Sequence, residues 1–306
     1  MPIVCTELDE VAPGKPIALC VVGDYVMVVS ENVASPGLMP NGSFAVMRGS
    51  TSTAKAFSGL EPYGGTYGNF TWGCCAAAYG FAFTFHGAGQ MAKIDVATGG
   101  MATWATRGGS ESARSKVLGG AGGYAVLADF FQPPYNNYKL NCWHVSTDAK
   151  SIYSFSGTTW KTWFSTGTHI YGSDYLTWFQ FDPSTGTKVD LGWAPANYAI
   201  CPGAFDGTYG WYSTNSSFVR VDLTSGSQVS WNHSSIPGGG VLPGSSMALH
   251  SDGWIYGVTD GDHIVGLNRS NGDMGKAPLA PTRGRRGAGV ASAGGKLWIP
   301  SGEPLS

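Results

Sequence analysis

The sequence predicts an all-β chain made of one short unit repeated many times, and three observations carry that expectation. Glycine accounts for 46 of 306 residues, aromatics for 13% and charged residues for only 12%. That balance suits strands and turns, whereas amphipathic helices draw heavily on Glu and Lys. A turn phrase recurs along the chain, and a short alternating apolar run accompanies each copy.

The phrase is clearest in "FDPSTGTKVDLGW", where Asp182 is followed by Thr185 and Gly186. "KIDVATGGMATW" repeats it with Asp95, Thr98 and Gly99, "VRVDLTSGSQVSW" with Asp222, Ser225 and Gly226, and "VGLNRSNGDM" with Asn268, Asn271 and Gly272. Looser copies are "CWHVSTDAK", with His144, Thr147 and Asp148, and "AVMRGSTST", starting from Arg48. The anchors fall at 48, 95, 144, 182, 222 and 268, so the spacings are 47, 49, 38, 40 and 46. An Asp or Asn side chain accepts hydrogen bonds from backbone N–H groups two or three residues on, and the glycine supplies positive φ. Each phrase therefore predicts a tight β-hairpin.

The accompanying runs are "GDYVMVVSE", "GFAFTFH", "GYAVLAD", "THIYGSD", "TYGWYST", "DGWIYGVTD" and "GKLWIPSGE", seven against six hairpin phrases. Most alternate aromatic or β-branched residues, as half-buried strands do. A unit of this length with about four strands predicts a seven-bladed β-propeller in a single domain. The blades are expected at about 14–60, 61–106, 107–157, 158–192, 193–233, 234–280 and 281–306, the last completed by residues 2–8. The seventh run, from Lys296 to Ser301, lies close to the last residue of the sequence. An open edge strand invites aggregation. Pairing of the N-terminal strand Pro2 to Leu8 with this run is therefore expected to close the ring.

The Asp-x-x-Thr-Gly phrase followed by tryptophan, as in Asp95, Thr98, Gly99 and Trp104, or Asp222, Gly226 and Trp231, resembles the repeat of quinoprotein-like propellers. That resemblance implies a vicinal disulfide of Cys74 and Cys75 above a quinone. The family's enzymes are eight-bladed, longer and secreted. Read from the residues alone, the two cysteines are small buried residues opening an inner strand, and no cofactor is expected.

Met1 and Pro2 lead into acidic rather than basic and apolar residues, so no signal peptide is expected, and no apolar run of about 18 residues predicts a membrane helix. The six cysteines (Cys5, Cys20, Cys74, Cys75, Cys142 and Cys201) show no CxxC spacing and predict buried thiols made in a reducing cytosol. A net charge of −2 offers no general attraction for nucleic acid. The local cluster Arg283, Arg285 and Arg286 reads as a solvated loop or an anion contact. The histidines lack metal-ligand spacing, and Asp260, Asp262 and His263 read as a turn rather than a calcium site. No metal is expected.

In a propeller the second strands of all blades end on one face. Their exits carry Glu31, His86, Asp129, Asp174, Asn215, Asp260 and Glu303, a candidate polar rim that turn chemistry also explains. An acid/base pair such as Asp129 with Asp174 lacks supporting sequence context. Loops expected on the same face are aromatic: Tyr63, Tyr67, Phe70 and Trp72; Phe130, Phe131, Tyr135 and Tyr138; Trp160, Trp163 and Phe164; Trp193 and Tyr198. Such rings stack on sugars or anchor protein interfaces, and they also fill spaces between blades. Low charge and abundant Gly and Ala are similar to small tail-tip or receptor-binding subunits of bacteriophages. The expectation is a non-catalytic recognition propeller of a virion, made in the host cytoplasm, that binds neighbouring proteins or a host-surface glycan and neither binds nucleic acid nor inserts into a membrane. A free lectin and a glycan- or quinone-using enzyme are the alternatives.

Overall fold

The computed structural model describes residues 15–31, 43–49, 55–60, 75–86, 90–105, 114–130, 137–156, 160–174, 176–196, 201–214, 216–233, 247–259, 263–278 and 289–299. All regular structure among them is β. The first sheet holds β1 (Lys15–Val22), β2 (Tyr25–Glu31), β3 (Ser43–Gly49) and β4 (Lys55–Leu60). The second holds β5 (Ala76–Ala78), β6 (Phe81–His86), β7 (Gln90–Asp95) and β8 (Met101–Ala105). The third holds β9 (Arg114–Ala121), β10 (Tyr124–Phe130), β11 (Asn137–His144) and β12 (Lys150–Ser156). The fourth contains β13 (Thr162–Ser165), β14 (Ile170–Ser173), β15 (Trp178–Asp182) and β16 (Thr187–Asp190), joined by β17 (Cys201–Pro202). The fifth holds β18 (Ala204–Phe205), β19 (Tyr209–Ser213), β20 (Ser217–Asp222) and β21 (Gln228–Asn232). The sixth holds β22 (Ala248–Leu249), β23 (Trp254–Val258), β24 (His263–Asn268) and β25 (Met274–Pro278), and a two-stranded unit pairs β26 (Ala291–Ala293) with β27 (Lys296–Trp298). Within each unit the four-strand succession is an antiparallel meander. This is the architecture of a β-propeller.

First strands sit next to first strands. β1 packs beside β5, β5 beside β9, β9 beside β13, β13 beside β18, β22 beside β26, and β26 beside β1. The apolar clusters lie between sheets rather than within one. Trp160, Trp163 and Phe179 of the fourth unit meet Leu118, Val126 and Leu140 of the third. Trp211 and Phe218 of the fifth meet Ile255, Val265 and Leu267 of the sixth. On either side of the two-stranded unit, Val290 meets Tyr256 and Val258 of the sixth sheet, while Ala291 and Ala293 meet Leu19 and Val26 of the first.

Each repeated phrase from Asp95 onward joins a third strand to a fourth, and its chemistry is local; the copy at Arg48 runs beyond Gly49 outside the described residues. Asp182 Oδ1 accepts the Ser184 N–H at 2.8 Å, Asp222 Oδ1 the Thr224 N–H at 2.8 Å and Asn268 Oδ1 the Ser270 N–H at 2.9 Å. Gly186, Gly226 and Gly272 then donate to the carbonyls of those anchors at 2.8, 2.8 and 2.9 Å. In the third sheet the His144 ring accepts the Thr147 N–H at 3.2 Å, and Asp148, at φ 60°, takes the glycine's place. These glycines also admit the neighbouring unit. A Cβ on Gly226 would lie 2.3 Å from the Trp193 ring, one on Gly186 2.0 Å from Tyr153 and one on Gly272 2.6 Å from Trp231. An aromatic on or just beyond one unit's outer strand thus rests against the bare turn of the next.

The turns joining first to second strands form a second set of links. Tyr79 Oη accepts the Gly123 N–H at 2.8 Å and donates to the Gly167 carbonyl at 3.1 Å, tying turns of three successive units. One feature departs from a plain repeat. β17 pairs in parallel with β13, on the far side of that strand from β14, and the same segment continues through Gly203 into β18 of the fifth sheet. The sequence placed residues 201 and 202 with the fifth unit alone. A two-residue parallel bridge has no sequence signature, because the Gly203 N–H to the Trp163 carbonyl, at 2.6 Å, is a backbone contact.

Depressed carboxylates predict a fold that loses stability in acid. The Ser184 hydroxyl, the largest influence on Asp182, holds its carboxyl below the usual carboxylate value, and the Thr224 and Ser225 amides do the same for Asp222. Burial opposes ionisation of Asp206, yet bonds from the Tyr209 amide, the Trp211 indole and the Thr208 amide, with Arg269 nearby, leave it lowered. A carboxyl depressed in the fold contributes stability that is complete above its unfolded value of about 3.9 and disappears as pH falls through the folded value. The melting temperature should therefore change little in response to these groups from pH 7 to about 5 and drop below about pH 4. A stability that rises between pH 5 and 3 would contradict this.

Candidate functional site

An antiparallel meander places its first-to-second and third-to-fourth turns on one face. The second-to-third turns and the links to the next unit lie on the other. The repeated phrases therefore occupy one face, and the search for a site moves to its opposite.

There the turn after β14 is built by Asp174, whose Oδ1 accepts the N–H groups of Leu176 at 2.6 Å and Thr177 at 2.8 Å. Its own N–H donates to the Thr177 carbonyl at 3.1 Å. After β19 the same turn is made with a hydroxyl: Thr214 Oγ1 accepts Ser216 N–H at 3.2 Å and Ser217 N–H at 2.9 Å, and Thr214 N–H reaches the Ser217 carbonyl at 2.8 Å. After β23, Thr259 Oγ1 accepts the His263 N–H at 3.2 Å across a turn one residue longer. Asp174, Thr214 and Thr259 are all buried. Their polar atoms satisfy backbone donors that would otherwise be stranded.

Beside the Asp174 turn, the Trp178 N–H donates to the Trp193 carbonyl and the Leu191 N–H to the Trp178 carbonyl, both at 2.8 Å. The uncharged segment 191–196 thus begins alongside the turn. It is then held to the fifth sheet by Gln228, which donates to the Ala194 carbonyl at 2.6 Å and accepts the Ala196 N–H at 2.8 Å. Between the third and fourth units, the buried Lys116 ammonium donates to the Trp160 carbonyl at 2.8 Å and lies 4.6 Å from the Trp163 ring centroid. It acts as a cross-link, because its charge is satisfied by a carbonyl and a ring face.

The expected aromatic face is only partly located. Tyr63, Tyr67, Phe70, Trp72, Phe131, Tyr135 and Tyr198 lie outside the described residues, as does the Phe130 side chain. Tyr138, Trp160, Trp163 and Phe164 require correction, since all four are buried at 0–2% exposure. Tyr138 of the third unit packs edge-on to Trp160 of the fourth at 6.3 Å, and Trp160 and Trp163 join Leu118, Val126 and Leu140 in one cluster, so these rings fill the space between sheets. Trp193 is half-buried with its indole against Gly226. In sequence these rings read as loop residues because they stand at loop margins, where chain position cannot separate an outward ring from an inward one.

Of the polar rim, Glu31, His86 and Asp129 fall in strands whose side chains at those points lie outside the described residues. Asn215, Asp260 and Glu303 lie outside them entirely. Asp174 is buried and engaged in its turn rather than presented to solvent, and its counterparts in the next two units are Thr214 and Thr259, one residue before Asn215 and Asp260. Sequence reasoning missed Leu176, which is 79% exposed at the tip of the Asp174 turn. An Asp three residues before a Thr predicts the turn, but sequence does not say which way its two intervening residues point. Among the described residues no group of His, Cys, Asp and Glu is arranged to hold a metal ion. Cys20 and Cys142 are buried free thiols, and burial pushes the Cys142 thiol well up from its ordinary range. No helix among the described residues is long and apolar enough to cross a membrane.

No protein-family model matches the chain, and no curated protein matches it by sequence. Among solved structures, BamB from Moraxella catarrhalis is similar with a TM-score of 0.50 at 11% identity, over 93% of this chain and 81% of that one. At that identity the likeness concerns the fold alone, and the fold it shows is the β-propeller.

Proposed function

We propose that this chain is a non-catalytic recognition propeller, a subunit of a larger assembly that contacts a neighbouring protein or a surface glycan through the face opposite the repeated hairpins. One observation carries the reading. Carboxylates are scarce in the sequence, and Asp95, Asp174, Asp182, Asp206, Asp222 and Asp252 are each spent capping a turn. Acid/base or glycosidic chemistry needs carboxyl groups held toward a substrate. A virion tail tip suits the low charge and the Gly- and Ala-rich composition, and it is the assembly we assign. The ring has seven blades in this reading, with Pro2 to Leu8 pairing beside β27 to complete the two-stranded unit.

Separating the producing cells' lysate by sedimentation tests the reading. The chain should travel with a particle, and the purified chain should leave chromogenic glycosides intact. A free monomer that turns over such a glycoside would overturn it.

A further inference from the structure

The sequence holds two Asn-Gly steps, Asn41–Gly42 and Asn271–Gly272, and the second lies among the described residues, in the hairpin between β24 and β25. Asn-Gly is the step most prone to deamidation, because glycine has no side chain to shield its amide nitrogen from the asparagine beside it. Asn271 is exposed to water, yet both reacting groups are engaged. The Gly272 N–H, whose nitrogen is the nucleophile in that reaction, donates to the Asn268 carbonyl at 2.9 Å. Asp273 holds the Asn271 amide at both ends: Asn271 Oδ1 accepts the Asp273 N–H at 3.0 Å, and Asn271 Nδ2 donates to Asp273 Oδ2 at 2.7 Å. The turn itself does not require asparagine. At the same place in the Asp182 and Asp222 hairpins, Thr185 Oγ1 accepts the Thr187 N–H at 3.3 Å and Ser225 Oγ the Ser227 N–H at 3.2 Å.

We propose that Asn271 is a site of spontaneous deamidation gated by the opening of this hairpin. In the reaction the Gly272 nitrogen gives up its proton and bonds to Asn271 Cγ, the Cγ–Nδ2 bond breaks, and ammonia leaves with that proton. Water then opens the resulting succinimide to aspartate or isoaspartate. In the closed turn the Asn268 carbonyl holds the glycine's proton and Asp273 clamps the side-chain amide, so the succinimide forms only when the turn frays. The product acts on a seam between units. Isoaspartate lengthens the backbone by a methylene inside the loop that the Gly272-to-Asn268 bond closes, and Gly272 is the residue whose bare face admits Trp231 of the fifth unit.

The test incubates the full chain and a synthetic peptide of residues 268–276 in the same mildly alkaline buffer and follows the tryptic fragment Ser270–Lys276 by chromatography and mass spectrometry. Because these hydrogen bonds must break first, the folded chain should deamidate about tenfold to a hundredfold more slowly than the peptide. Asp273→Ala, set against a peptide with the same change, should lose about twofold to tenfold of that protection, since the bond to Nδ2 is gone while the Gly272 N–H keeps its own. The isoaspartate form, separated by its added charge and identified by that fragment, should melt below the parent. A folded chain that deamidates as fast as the peptide, or an Asp273→Ala chain with undiminished protection, would overturn the gate. An isoaspartate form that melts with the parent would overturn the effect on the seam.

Discussion

Gly226→Ala should destabilise the protein by about 2–5 kcal/mol, seen as a melting temperature lower by several degrees. Two costs add. The residue sits at φ 73°, where an alanine costs about 1–2 kcal/mol. Its new Cβ would also lie 2.3 Å from the Trp193 ring, and relieving such overpacking costs about 1–3 kcal/mol. Gly253→Ala separates the two contributions, because Gly253 has φ 88° but no neighbouring atom within 4 Å of where an alanine Cβ would stand. It should show the conformational cost alone. In a Trp193→Ala background the Gly226→Ala cost should shrink toward the Gly253→Ala value, the signature of a direct pair. Equal costs for Gly226→Ala and Gly253→Ala in the parent protein would mean that the indole does not lock one blade to the next.

Trp211→Ala should cost about 3–5 kcal/mol, the range for removing a buried tryptophan. Trp211 is 1% exposed and joins the fifth and sixth units through Met247, Ile255 and Leu267. It also stacks on Trp231 at 5.7 Å and donates its indole N–H to Asp206 Oδ2 at 2.7 Å. Asp206 in turn lies 3.4 Å from Arg269 of the sixth unit, so the deletion weakens an apolar and a polar link together. Trp211→Phe keeps most of the ring and loses the hydrogen bond, and should cost about 1–2 kcal/mol. Denaturant midpoints for the two variants measure this, and a Trp211→Ala loss below about 1 kcal/mol would contradict the packing described.

The architecture was legible because its markers are local. Asp182, Asp222 and Asn268 each cap their own hairpin within four residues, so spacing alone located the sheets. Even His144 and Asp148 could be read as a copy, because a ring nitrogen accepts the same amide and Asp tolerates a left-handed conformation. Function was less legible, since direction is not local. Trp160 and Trp163 stand beside loops as an exposed binding residue would, yet neighbouring sheets cover them. Asp174 sits at a strand exit as a rim carboxylate would, yet its oxygen turns back to two amides. Leu176 could be found only by knowing which way that turn points. The bridge from β17 to β13 is a backbone pairing, which leaves no pattern to read.

The seven-bladed reading depends on a second partner strand for β27 that the described residues do not supply. Deleting Met1 to Asp9 tests that pairing. If Pro2 to Leu8 pairs beside β27, the truncated chain keeps β26 and β27 as an open edge between the sixth and first sheets. It should then aggregate or melt well below the full chain. A truncated chain that stays monomeric and melts with the full-length protein would contradict the pairing of Pro2 to Leu8 beside β27.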